Sequence, residues 1–91
     1  MGWRIEFSRS AERELAALDA KAARRIIRFL RERVLTADHP RMAGEPLHGP
    51  DLGRFWKYRV GAYRVIASIE DAVVTIHVVR VGHRSQVYRD R

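Results

Sequence analysis

Between Phe55 and Tyr88 the chain reads FWKYRV, GA, YRVIASIE, DA, VVTIHVVRVG and HRSQVY. The side chains here that could do chemistry are cations, a histidine and a phenol: Lys57, Arg59, Arg64, His83, Arg84 and Tyr88. The chain has no cysteine, which removes thiolate nucleophiles, thiolate metal ligands and disulfides. His39, His48, His77 and His83 lack metal-ligand spacing, the acidic residues form no metal cluster, and neither a P-loop nor a GxSxG elbow occurs. No metal or other cofactor is therefore expected, and any catalysis falls to Arg, Lys, Tyr and His. That set suits cleavage of RNA without a metal. The substrate brings its own nucleophile, the 2′-hydroxyl, while the protein splays the nucleotide, moves protons and stabilises the phosphorane charge.

The elements that must hold these groups follow from the period-2 pattern. β-Branched and aromatic runs broken at Gly61-Ala62 and Asp71-Ala72 predict three short antiparallel strands and two tight turns. Alternation puts Tyr63, Val65, Ala67 and Ile69 on a core face, and Arg64, Ile66, Ser68 and Glu70 opposite. Arg64 is the odd member, a cation near the start of a central apolar strand. Its bland alternative is a surface arginine paired with Glu70.

Upstream, Trp3, Ile5 and Phe7 alternate with Arg4 and Glu6, the period of a half-buried first strand. Ser8 or Ser10 can cap a helix bearing Glu12 and Glu14 in its first turn, with Ala11, Leu15 and Leu18 as its apolar stripe. Asp19 is a second N-cap, followed by Ala23, Ile27, Leu30 and Val34 at helical spacing and Ile26 beside them. A helical hairpin or one bent helix results, ending near Asp38-His39-Pro40. Arg24, Arg25, Arg28, Arg31 and Arg33 cover its outer sides as a mainly solvated face, the alternative being that some of them contact nucleic acid. Pro40 to Gly53 holds all three prolines and reads as a loop. The expected fold is α+β in a single domain, residues 1–91. An N-terminal strand and helical hairpin precede the meander, with the helices packed on one face of the sheet and the other face left free to work.

Ninety-one residues bury only about 60–65% of their unfolded surface, so the core is thin and one functional surface is the expectation. Eighteen Lys and Arg against eleven Asp and Glu give +7. Residues 1–53 carry 10 bases and 8 acids, net +2; residues 54–91 carry 8 and 3, net +5. A field concentrated on the strands and tail suits a polyanion, either nucleic acid or an acidic protein segment, the alternative being a merely solvated basic surface. No apolar run approaches the ~20 residues of a membrane span, and the amino terminus lacks the apolar stretch of a secretory signal. A complete, soluble, cytoplasmic protein without a membrane partner is expected.

The segment LHGPDLGRFWKYRVGAYRVIASIEDAVVTIHVVRVGHRSQVYRD resembles the second half of the RelE/ParE superfamily of type II toxins, most specifically in WKYRVGxYR and the VGHR…VYR ending. The opening strand and helical hairpin are similar to its first half. The resemblance implies a RelE-like fold akin to microbial ribonucleases. It also implies an mRNA interferase: an endoribonuclease that inhibits translation by cutting messenger in the A site of the 30S subunit through 2′-hydroxyl attack. The implied partners are the ribosome, mRNA and a cognate RelB-like antitoxin that masks the basic surface in a hetero-oligomeric complex. Two other readings stand beside it: a ParE-like DNA gyrase inhibitor, and a catalytically silent module acting with its antitoxin as operator co-repressor.

Carried over by position, the resemblance assigns catalysis to Lys57, Arg64, Arg84 and Tyr88. Arg64 would clamp the scissile phosphate; Arg84 would bind it and help protonate the leaving 5′-oxygen or orient the group that does. Lys57 stands at a family lysine, but Phe55 replaces a second one, so Lys57 is either general base or phosphate contact. Tyr88 would stack on a base or share a proton, or else pack on the sheet as a tail aromatic. His83 stands where a family lysine does and could compensate as proton carrier. His48, Arg59 and Arg89 are implied RNA contacts. His77 reads as structural, and Trp56 and Tyr58 as core or antitoxin-covered residues.

Overall fold

The computed structural model describes residues 2–49 and 53–87. Strand β1 (Arg4–Phe7) leads into α1 (Arg9–Ala17) and α2 (Ala20–Phe29), followed by a π turn at Leu30–Val34 and a 3-10 turn at Pro40–Ala43. Then come β2 (Glu45–Pro46), β3 (Phe55–Val60), β4 (Tyr63–Glu70), β5 (Thr75–His83) and α3 (Arg84–Val87). The predicted caps form. Ser8 Oγ accepts from the Ala11 N–H at 3.0 Å, and Asp19 Oδ1 from the Ala22 N–H at 2.8 Å. Each satisfies a first-turn donor that has no partner within its helix. Among the described residues no helix is long and apolar enough to cross a membrane.

The α+β expectation holds, with a larger sheet than the meander alone. Five strands are ordered β1-β5-β4-β3-β2, and β3, β4 and β5 form the expected antiparallel set. β1 joins the edge parallel to β5, Ile5 beside Ile76 and Phe7 beside Val78, so the sheet is mixed. The segment read as loop supplies a two-residue strand, β2, on the other edge, where Glu45 opposes Lys57. It also supplies the 3-10 turn, pinned by Tyr58 OH donating to the Pro40 carbonyl at 2.9 Å and Trp56 Nε1 to that of Arg41 at 3.0 Å. The turn at Asp71-Ala72 is a 3-10 turn reaching Val73, with Val74 at φ 50°.

The core lies between the helices and one sheet face: Ala11, Ile26, Leu30 and Val34 against Tyr58, Val60, Val65, Ala67, Ile76, Val78 and Val81. Period-2 alternation cannot deliver this set from β5, because Val78 and Val81 are an odd number of residues apart. A bulge reconciles them. Ala67 opposes Val78 and Ile66 opposes Arg80, so Val79 is the extra residue and the facing of β5 reverses beyond it.

Candidate functional site

Directly opposed residues of an antiparallel pair share a face. The register therefore builds the sheet face away from the helices as two rows. One runs Arg59, Arg64, Gly82; the next runs Lys57, Ile66, Arg80. Four cations from three strands meet there. The bulge carries Arg80 into this face; by unbroken alternation from Val78 it would point at the core.

This face is not the open surface the alternation implied. Arg64 is 7% exposed and Ile66 5%. Ile66 sits in register between Lys57 and Arg80, long side chains whose stems can cover an apolar neighbour while their heads reach water. Nor does Arg64 pair with Glu70, which instead accepts from Ser68 Oγ at 3.3 Å. The Arg64 guanidinium turns back to the β3–β4 turn, Nη1 donating to the Tyr63 carbonyl at 3.1 Å and the Gly61 carbonyl at 3.4 Å. Its Nε is buried with no hydrogen-bond partner among the described residues. A buried donor left unpaired costs about 1–3 kcal/mol.

Around Arg64 the cations are held by carboxylates. Glu45 lies 3.6 Å from Lys57 Nζ and 3.7 Å from Arg59 Nε. Glu14, reaching across from α1, takes Arg80 Nε at 2.9 Å on one oxygen and the Val81 N–H at 2.7 Å on the other. Arg80, Glu45 and Glu14 are absent from the sequence-derived set. Glu45 had no readable pairing before β2 was known, and Arg80 was concealed by the bulge. Among the described residues no group of His, Asp or Glu converges as metal ligands do.

The remaining predicted residues distribute as follows. His83 is in register with Tyr63 on the core side of the sheet, its ring edge-on to the phenol at 5.8 Å, so the structure separates it from the Arg64 face. Its Nδ1 accepts the Ser85 N–H at 3.3 Å, which leaves Nε2 to carry the proton of the neutral ring. Arg84 opens α3 exposed, its N–H donating to the Ala62 carbonyl at 2.9 Å. His48 is exposed. Tyr88 and Arg89 lie outside the described residues. His77 is half-exposed and pairs with Glu6 at 3.3 Å, and Tyr58 is fully buried, as expected of a core residue.

A family model described as the ParE toxin of the type II toxin-antitoxin system, parDE, matches residues 5–88. The chain is similar to Toxin RelG of Mycobacterium tuberculosis, 29% identical over 89 residues that make up 98% of this chain and 99% of that one. It is also similar to Toxin RelE of the same organism, 29% identical over 87 residues, 96% and 87% of the two chains. Among solved structures, the toxin-antitoxin complex RelBE2 from M. tuberculosis superposes with a TM-score of 0.82 at 26% identity, covering 92% of this chain and 100% of that one. The archaeal RelE-RelB complex from Pyrococcus horikoshii shares the fold at a TM-score of 0.71 and 24% identity, covering 94% and 99%. The family match takes in the sheet, both long helices and the two cationic rows, and the chain accordingly belongs to the RelE/ParE superfamily of type II toxins.

Proposed function

We propose that this toxin is a ribosome-dependent endoribonuclease that cuts mRNA in the A site by metal-free 2′-hydroxyl attack. The observation that carries the reading is Arg64: a buried cation on the cationic face, with Nε aimed at no partner in the chain. A phosphate drawn to this face by Arg64 and its neighbouring cations would make charge-assisted bonds, the stronger kind. In the reaction the 2′-oxygen forms a bond to the adjacent phosphorus and the bond to the 5′-oxygen breaks, giving a 2′,3′-cyclic phosphate and a 5′-hydroxyl. One proton leaves the 2′-hydroxyl and one reaches the 5′-oxygen. Arg64 stabilises the growing charge, with Lys57 across β3 as phosphate contact or base. Arg84 and Tyr88 serve the leaving side, while His83, in register with Tyr63 on the other side of the sheet, takes no part at the Arg64 face. Arg59, His48 and Arg89 contact the message. The names of the two curated relatives favour this branch. The physiological partner is a RelB-like antitoxin, acidic or amphipathic where it covers the basic half.

A second reading rests on the family model, whose description is that of a ParE toxin; under it the target is DNA gyrase and the cationic face serves binding alone. One assay separates the two. The protein, beside its Arg84→Ala variant, is added to ribosomes stalled with an empty A site on messages covering several codons, and RNA ends are mapped by primer extension. A new end within the A-site codon, lost in the variant, is the expected result. No new end on any message, with cleaved DNA in a gyrase assay, transfers the function to the second reading.

A further inference from the structure

On α2 and the turn after it, Arg25, Arg28, Phe29, Glu32 and Arg33 are spaced i, i+3, i+4, i+7 and i+8, which places them on one side of the helix. With Arg59, Val60 and Gly61 they line an open groove of about 400 Å³ between α2 and the β3–β4 turn. Two of its arginines are held by contacts that consume no hydrogen-bond donor. Arg25 lies against Gly61, where a Cβ would come within 2.8 Å of Nη1. The Arg33 guanidinium sits over the Phe29 ring, 5.9 Å from its centre.

Charge balance distinguishes this groove from the sheet face. Lys57, Arg59 and Arg80 each have a carboxylate within 4 Å. Among the described residues Arg25, Arg28 and Arg33 have no such ion pair. Glu32 is the one acid among the lining residues, against four arginines. The two regions are continuous, because Arg59 belongs both to the row of Arg64 and to the groove wall. A strand leaving Arg64 past Arg59 and over Gly61 enters the groove directly.

We propose that the groove between α2 and the β3–β4 turn binds the phosphate backbone of single-stranded RNA continuous with the segment held at Arg64. Arg25, Arg28 and Arg33 are the phosphate contacts, and the Arg33–Phe29 pair offers a plane on which a flanking base stacks. The inference rests on the nuclease reading for the identity of the strand. Continuity with Arg64 favours RNA over an acidic peptide.

The test is fluorescence anisotropy of a labelled 12-nucleotide single-stranded RNA, titrated at several salt concentrations against the parent, Arg64→Lys, and an Arg28→Gln/Arg33→Gln/Arg25→Gln variant, with a poly-glutamate peptide as competitor. Each single-strand phosphate contact contributes about 0.7 to the slope of log affinity against log salt, so the triple variant should lose about 2 from that slope and bind at least ~10-fold more weakly. The double variant Arg28→Gln/Arg33→Gln, which leaves Arg25 packed on Gly61, should lose about 1.4. In the ribosome assay the protein concentration for half-maximal cleavage should rise for both. Parental affinity and slope in the triple variant overturn the groove, as does RNA binding that is unchanged while poly-glutamate binding is lost. A parent that cuts no message yet shows the arginine-dependent slope sinks the nuclease reading and leaves the groove standing.

Discussion

Glu14 and Val81 are joined across the two layers: a carboxylate oxygen on α1 accepts the backbone N–H of a buried strand residue at 2.7 Å. The pairing of β1 with β5 runs from Thr75 to Val78, so among the described residues the edge of β5 beyond the bulge has no strand beside it. Glu14 takes that place for one donor and binds Arg80 with its second oxygen. Glu14→Ala leaves the Val81 N–H buried without its acceptor and should cost about 1–3 kcal/mol in urea unfolding. Glu14→Gln keeps an acceptor but not the charge opposite Arg80, and should recover part of the loss. Equal stability for Ala and parent would mean that the bulge holds itself.

Arg64 separates stability from function. It is buried, so truncation to Ala would remove volume as well as charge. Arg64→Met keeps most of the volume while deleting a buried cation, its unpaired Nε and the Nη1 bonds to the Tyr63 and Gly61 carbonyls. Replacing such groups with apolar ones is often neutral or stabilising. The gain from removing the buried charge opposes the loss of those two bonds, so the Met variant should melt close to the parent temperature. Its cleavage in the ribosome assay should fall by about 10²–10³, the range for loss of one charge-stabilising group. A variant that melts well below the parent and still cuts would reverse both assignments.

Local signals made much of this fold legible. Ser8 and Asp19 announce their caps, Gly61 its turn, and the alternation of β3 and β4 states which side of each strand is core. Three relationships were not legible, for one physical reason: each depends on strand pairing rather than on sequence neighbours. β1 chose a parallel partner more than sixty residues away. Glu45 became an edge residue opposite Lys57 only once β2 paired. The extra residue Val79 is chemically ordinary, yet it brings Arg80 to the Arg64 face and sends His83 to the other. Alternation singled out Arg64 as the odd cation of its strand and family likeness gave it a role, while its burial and its orphaned Nε are properties of the folded chain.

The loop after the helices is tied to the β4–β5 turn by an exposed pair. Arg41 donates to both Asp71 oxygens at 3.1 and 3.0 Å, and His39 Nε2 stands 3.2 Å from one of them. The hydrogen bonds from Arg41 hold the Asp71 carboxyl below its ordinary range, with His39 adding to the effect. A carboxyl lowered on folding stabilises the native state above its unfolded pKa, about 3.9, and that contribution is lost as pH falls through the lower folded value. The gap in urea midpoint between parent and Asp71→Asn should therefore be open at pH 7 and close towards pH 3. It should also narrow in 1 M salt, since the pair faces water. A gap independent of pH would assign the difference to turn conformation.

Tyr58 governs the alkaline limit. Its ring is fully buried against Phe29, 6.2 Å between centres, and its hydroxyl donates to the Pro40 carbonyl. Burial pushes the phenol up from 10 to about 12, and nearby Arg41 only partly offsets this. A pKa raised on folding gives stability that is complete below the unfolded value and is lost as pH rises through the folded one, here the window from 10 to about 12. The full difference is on the order of 2–3 kcal/mol. Phenolate absorbance should show one tyrosine titrating together with loss of helical ellipticity, in a single cooperative step within that window. Tyr58→Phe should be less stable at pH 7, because it orphans the Pro40 carbonyl, yet should lose the tyrosinate-linked step. If the Phe variant unfolds at the same alkaline pH as the parent with the same cooperativity, the limit is set by other groups and the ring's burial contributes only packing.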